Sequence, residues 1–259
     1  MKHTADPERK SDPTGTECQD SGRVPPPARP SLGRWLWEWT KSIVVAFLLF
    51  LFVRTFLVEA FQIPTGSMEN TLLVGDFLLV NKAVYGAEIP GTDMHLPAFD
   101  RPSRGDIIVF EPPPAAGQPP HTNYVKRIVG IAGDTLAMTG GALIRNGRRV
   151  PEPYVKRGRR IGDVRSPQFS WQRSYLVGHR PRYRPTRDNW GPIVVPPHSL
   201  FVMGDNRVNS EDSRYWGFVP ESSVKGRPLV IYYSYDRRKV VPFSWLTEIR
   251  WDRVLHGVR

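Results

Sequence analysis

The sequence predicts a mainly β protein: an antiparallel, β-rich domain with an inserted subdomain, preceded by one transmembrane helix. Beyond residue 62 the apolar residues fall in short runs of β-branched and aromatic type, each closed by Gly, Pro, Asp or Asn. Twenty-six prolines and 22 glycines among 259 residues favour strands and turns over long helices. One uninterrupted apolar run, near residues 42–53, stands apart from this pattern.

Residues 1–33 hold six prolines, mixed charge and no apolar periodicity, so a disordered tail is expected. No apolar core follows a basic start there, so the tail does not read as a signal peptide. Residues 34–61 are expected to form the transmembrane helix and its flanks. The uncharged core Ser42–Val53 is shorter than the roughly 20 residues a span needs, and continuing through Arg54 to about Phe61 supplies the length. Arg54 can extend its stem toward the head groups. Trp35, Trp37 and Trp39 form an aromatic belt at the other end. Seven Lys/Arg precede Ser42, which places the N-terminus inside and the globular part outside.

Residues 62–259 are the β-rich domain, with strands expected in DFLLVNKAVY, GDIIVFE, NYVKRIVGIAG, SLFVMGD and PLVIYYSYD. Between about Asp134 and Pro197 the composition turns to Arg and Pro, as in GHRPRYRPTRD, and an inserted subdomain is expected. Of the net charge of +11, all but +1 lies beyond residue 61, which suits phospholipid head groups, nucleic acid or an acidic partner. A generally basic surface explains it as well. The single cysteine, Cys18, excludes an intrachain disulfide and a Cys-rich metal site. Six scattered histidines offer no pair at metal-ligand spacing, and no metal or other cofactor is expected.

Directly after the apolar run comes FQIPTGSMENT, residues 61–71. These are ordinary turn residues, but they also place Ser67 close to the expected membrane surface. A serine hydroxyl is a poor nucleophile until a base takes its proton. His121 is one possible base. Lys126 is another, provided burial lowers its pKa. Strand alternation sets Tyr124, Lys126 and Ile128 on one face and Val125, Arg127 and Val129 on the other, so Lys126 has apolar neighbours. Arg127 stays protonated and cannot serve. Two charges guarding an edge strand would explain the same pattern. A third segment, MGDNRVNSEDSRYWGFVP, is dense in polar groups: Ser210 could accept a hydrogen bond from Lys126, and Asp212 with Arg214 could brace the loop.

Taken in order, IPTGSMENTLLVGDFLLVNK, RGDIIVF, YVKRIVGIAGD and GDNRVNSEDSRYWGFV resemble the sequence boxes of type I signal peptidases, the membrane-bound Ser/Lys proteases of bacteria. The resemblance implies that family's β-rich fold, with Ser67 as nucleophile and Lys126 as general base. The Ser67 backbone N–H and the Thr65 hydroxyl would be the oxyanion donors; the family often has Ser at the second position, and Thr keeps the hydroxyl. It further implies supporting roles for Ser210, Asp212 and Arg214, and a second supporting pair, Asp205 and Arg127. Gln62, Ile63, Pro64, Met68, Leu72, Tyr124 and Val125 would form the substrate site. Glu69, Asn70, Ala132 and Val208 depart from the family's usual residues, and none is a proposed nucleophile or base.

The implied activity is an endopeptidase that removes N-terminal signal peptides from exported preproteins after small residues, at the outer face of the bacterial cytoplasmic membrane. Its partners would be preproteins and membrane phospholipid, with no nucleic acid. Two other readings stay open: a self-cleaving repressor-type Ser/Lys protease, and a membrane-tethered basic β module that binds anionic lipid or nucleic acid without catalysis. The first would require a DNA-binding helical domain where this chain carries its tail and apolar run.

Overall fold

The computed structural model describes residues 32–86, 97–156, 162–237, 239 and 242–259. The expected tail therefore lies almost wholly outside the described residues. Its last two, Leu32 and Gly33, already belong to helix α1 (Leu32–Phe52). No residue of α1 is buried. With the wider helical turn Val53–Leu57, it makes a 26-residue stretch long and apolar enough to cross a membrane. Trp35 and Trp39 lie 5.6 Å apart at its start.

The helical stretch stops earlier than the sequence suggested. The Lys82 N–H donates to Leu57 O and the Lys82 amine to Thr55 O. Val58 then turns fully extended, and Val58–Gln62 is a strand rather than the end of a span. Val, Ala and Phe suit a strand and a lipid-facing helix equally well, so apolarity alone could not separate the two.

From there the chain is short strands. Six come first: β1 (Val58–Gln62), β2 (Asp76–Asn81), β3 (Ile107–Phe110), β4 (Tyr124–Ile131), β5 (Thr135–Thr139) and β6 (Ala142–Arg145). Six follow: β7 (Arg148–Arg149), β8 (Trp190–Val194), β9 (Ser199–Met203), β10 (Val219–Pro220), β11 (Val224–Ser234) and β12 (His256–Gly257). All pairings are antiparallel. One sheet runs β1-β2-β11-β3-β4-β9-β10, with β12 added to β11. Residues between β4 and β9 build a separate sheet, β7-β6-β5-β8. Within the residues between β7 and β8, Pro167–Tyr175 is a 3₁₀ segment packed near β8.

Strand β4 has β3 on one side and β9 on the other, so Lys126 and Arg127 do not guard an edge. Its alternation divides the core. Tyr124 and Ile128 join Ile108, Phe110 and Trp216. On the opposite face Val125 packs against Ile63, Met68 and Leu72, while Val129 joins Leu136, Trp190 and Phe201. The centre of β4 is thus enclosed by apolar side chains above and below.

Candidate active site

Ser67 lies on a single 3₁₀ turn, Gly66–Met68, which follows β1 closely. Met68 and Leu72 are buried in the core, and their backbones close the loop through Leu72 N–H to Met68 O. The turn is pinned by its apolar residues, so Ser67 is held between a fixed strand and a fixed loop. Lys126, from the middle of β4, brings its Nζ to 2.8 Å from Ser67 Oγ. The amine is also 3.3 Å from Val125 O and 5.0 Å from the centre of the Tyr124 ring.

Only 4% of Lys126 is exposed. Burial penalises the ammonium, and its pKa is lowered from 10.5 to about 8. The Arg214 charge pushes the same way, while Asp212, Glu211 and Asp205 oppose it. A base that is largely neutral at mildly alkaline pH results.

The MGDNRVNSEDSRYWGFVP segment folds around this pair. Arg214 forms a two-pronged pair with Asp212, Nε to Oδ1 and Nη2 to Oδ2 at 2.8 Å each, and both are fully buried. Asp212 also caps the short helix α2 (Ser213–Trp216) and accepts from the Gly204 N–H. Burial raises the Asp212 pKa, but the Arg214 charge and the hydrogen bonds from Arg214, Gly204 and Ser210 outweigh it and hold the carboxyl below its ordinary value. Ser210 departs from expectation: its hydroxyl donates to Asp212 Oδ2 at 2.8 Å, and it makes no hydrogen bond with Lys126. The carboxylate is the strongest acceptor nearby and takes the hydroxyl proton, while the Ser210 oxygen lone pairs stay free to accept. Arg127 pairs with Asp205 through Nε and Nη2 at 2.9 and 2.8 Å, and Thr71 Oγ1 donates to the same carboxylate.

A cavity of about 590 Å³ opens over Ser67 and Lys126. Gln62, Ile63, Pro64, Thr65, Met68, Tyr124, Val125 and Ser210 all line it. Leu72 does not; it is fully buried beneath the loop, where an apolar residue serves packing rather than contact with a ligand. Thr65 is exposed, in extended conformation. His121 is exposed on the loop before β4, its N–H bound to Glu111, and lies outside the cavity lining.

Residues the sequence did not single out complete the surround. Asn206 donates its N–H to Ser67 O and its side-chain Nδ2 to Gly66 O. Gly204 packs so closely that a Cβ there would stand 2.3 Å from Ser210 Oγ and 2.5 Å from Ser67 O. The segment 152–156 straps the nucleophile loop. Glu152 pairs with Arg207, Tyr154 covers the Arg127 guanidinium at 4.0 Å, Tyr154 O accepts from Asn70, and Lys156 pairs with Glu69 at 2.6 Å. Glu69 and Asn70, two of the four departures from the family pattern, are therefore the positions where the strap takes hold of the nucleophile loop. Asn70 has φ +96°, a left-handed conformation Asn tolerates better than most residues. The Asp-Asn-Arg run was the one signal in the sequence; nothing local linked it to residues 152–156.

Sequence comparison places these features in a family. The family model described as signal peptidase, peptidase S26, matches residues 36–233. Signal peptidase I of Pseudomonas fluorescens is 38% identical over 219 residues, covering 78% of this chain and 74% of its own. That of Pseudomonas aeruginosa is 38% identical over 221 residues with the same shares, and that of Leptolyngbya laminosa 36% identical over 220, covering 82% and 89%. A solved signal peptidase I from Enterococcus faecalis is 29% identical and aligns with 50% of this chain and 98% of its own, at a TM-score of 0.33. The assignment rests on the sequence matches: the chain belongs to the signal peptidase family, peptidase S26, and is a peptidase of that family.

Proposed function

We propose that this chain is a membrane-anchored signal peptidase I that cleaves N-terminal signal peptides from exported preproteins, using Ser67 and Lys126 as its catalytic pair. The observation that carries the proposal is the 2.8 Å approach of a buried, pKa-lowered amine to a serine hydroxyl on the floor of a cavity. A helix long enough to cross a membrane leads into β1, so the anchor and the site share one continuous segment.

Among the described residues, strand β1 ends its sheet and pairs only with β2. Its free edge, continued by Ile63–Thr65, can take an extended substrate as an added strand. Alternate side chains of that strand then meet the cavity wall of Ile63, Met68, Tyr124 and Val125, which leaves room for small residues. Lys126 Nζ takes the hydroxyl proton as Ser67 Oγ bonds to the scissile carbonyl carbon, and the carbonyl π pair moves to oxygen. The Ser67 N–H and the Thr65 hydroxyl meet that oxyanion. Collapse breaks the C–N bond, and the leaving amine carries off the proton held by Lys126. A water then gives a proton to Lys126 as its oxygen bonds to the acyl carbon; the C–Oγ bond breaks, the carboxylic product leaves, and Lys126 returns the proton to Ser67 Oγ. Asp205–Arg127 and Asp212–Arg214 keep the walls fixed. The protein's partners are preproteins and the phospholipid around its helix; nucleic acid is not among them.

The test is cleavage of a labelled preprotein by detergent-solubilised protein, with the new N-terminus sequenced. Ser67→Ala and Lys126→Ala each abolish the cut while the protein stays folded. Full activity in Lys126→Ala would remove the pair from the mechanism.

A further inference from the structure

We infer that Asn206 is a positioning residue: its side-chain amide clamps the Gly66–Ser67 peptide so that the Ser67 N–H faces the cavity as a preset oxyanion donor. The inference deepens the proposed function and rests on it.

Three bonds run from this one residue into the nucleophile loop. The Asn206 N–H donates to Ser67 O at 3.0 Å, and Nδ2 donates to Gly66 O at 3.1 Å and to Glu69 Oε2 at 3.3 Å. Both side-chain neighbours are acceptors, so the amide can be oriented only with its nitrogen toward them. The Gly66 carbonyl and the Ser67 N–H belong to the same planar trans peptide and point in opposite directions. Holding the oxygen on the Asn206 side therefore fixes the N–H on the other. Asn206 does not line the cavity, whereas Ser67 does. The N–H so directed donates to no protein acceptor among the described residues.

The clamp is itself braced. Asp205 and Arg207, its neighbours in sequence, are locked in the two-pronged pairs Arg127–Asp205 and Arg207–Glu152. Glu69, the second acceptor, is held by Lys156 and lies across Gly66, where a Cβ would come within 3.1 Å of it. A donor that must not swing as charge develops needs such backing, because its value in catalysis lies in being oriented beforehand.

The experiment compares full-length Asn206→Ala and Asn206→Asp with the parent protein in detergent. It measures kcat and KM on a preprotein, and binding of two probes: a peptide aldehyde, which forms a tetrahedral adduct on Ser67, and an uncleavable signal peptide. The Asp variant keeps the size and backbone N–H but replaces the Nδ2 donor with an oxygen. We expect kcat to fall roughly tenfold or more in both, with KM within about twofold. Aldehyde affinity falls by a similar factor, uncleavable-peptide affinity holds, and the pH at which activity reaches half its plateau does not move. Unchanged kcat in both variants overturns the inference. So does an equal loss of affinity for both probes, the mark of a generally loosened fold. Cleavage surviving in Ser67→Ala would instead defeat the reading on which the inference stands.

Discussion

Lys126 carries opposing demands on stability and chemistry. Unfolded, its amine titrates at the ordinary 10.5; folded, at about 8. Between those values the unfolded chain holds the additional proton, so stability rises with pH across that window. Below about 8 both states are protonated and the full burden of a buried ammonium is present, on the order of 3 kcal/mol. Lys126→Met should therefore melt no lower than the parent at pH 7, and higher if the methionine packs well, while cleaving nothing. Thermal melts at pH 7 and pH 10 check this, with the advantage of the variant shrinking at pH 10. The same titration predicts that kcat/KM climbs about tenfold per pH unit below 8 and levels off above it. A profile flat from pH 6 to 9 would contradict a neutral lysine as base. Gly204→Ala tests the tightest approach in the site: the methyl meets Ser210 Oγ and Ser67 O, and overpacking of this kind costs about 1–3 kcal/mol. Loss of cleavage should accompany that drop in melting temperature.

At the scale of elements, the site is three segments cinched by buried ion pairs. Breaking a buried pair from one side strands the other charge, at about 3–5 kcal/mol. Asp205→Ala and Arg127→Met should both fall in that range, because the first leaves a guanidinium buried beneath Tyr154 and the second a fully buried carboxylate. Urea titrations of both single variants and the double measure the two costs and the coupling. Much of this scale was legible in the sequence. The strands around Lys126 and Met203 follow from β-branched runs; residue type made Ser67, Lys126, Asp212 and Arg214 candidates, and the resemblance of their segments to a known family chose among the alternatives. Asn206 was not legible as a clamp, because its bonds go to backbone oxygens 140 residues away, which no side-chain pattern marks. Leu72 was misplaced because leucine looks the same in a cavity wall and beneath it. Ser210 was expected to accept from Lys126; the bond it makes is a donation to Asp212, a partner that sequence spacing does not select.

For the whole molecule, helix and catalytic fold meet at Leu57–Val58, and all described contacts of the site are made by residues after that point. A chain beginning at Phe52 keeps β1 and the cavity intact. It should cut a short soluble peptide with the kcat of the full protein, yet lose rate on a membrane-inserted preprotein, as paired assays with and without vesicles would show. A fall in kcat on the soluble peptide would mean that the helix shapes the site itself.

The strap at residues 152–156 has a consequence for exchange between relatives. Glu69 and Asn70 face Lys156 and the Tyr154 carbonyl, so loop and strap are matched parts although Asn70 and Tyr154 are 84 positions apart in sequence. Grafting this loop alone into a homologue that lacks a basic residue at the strap would leave Glu69 without its counterpart. A chimaera that carries both segments should work where either graft alone fails. Compounds shaped to the Glu69–Lys156 junction would accordingly distinguish this peptidase from family members that differ at only one of the two positions.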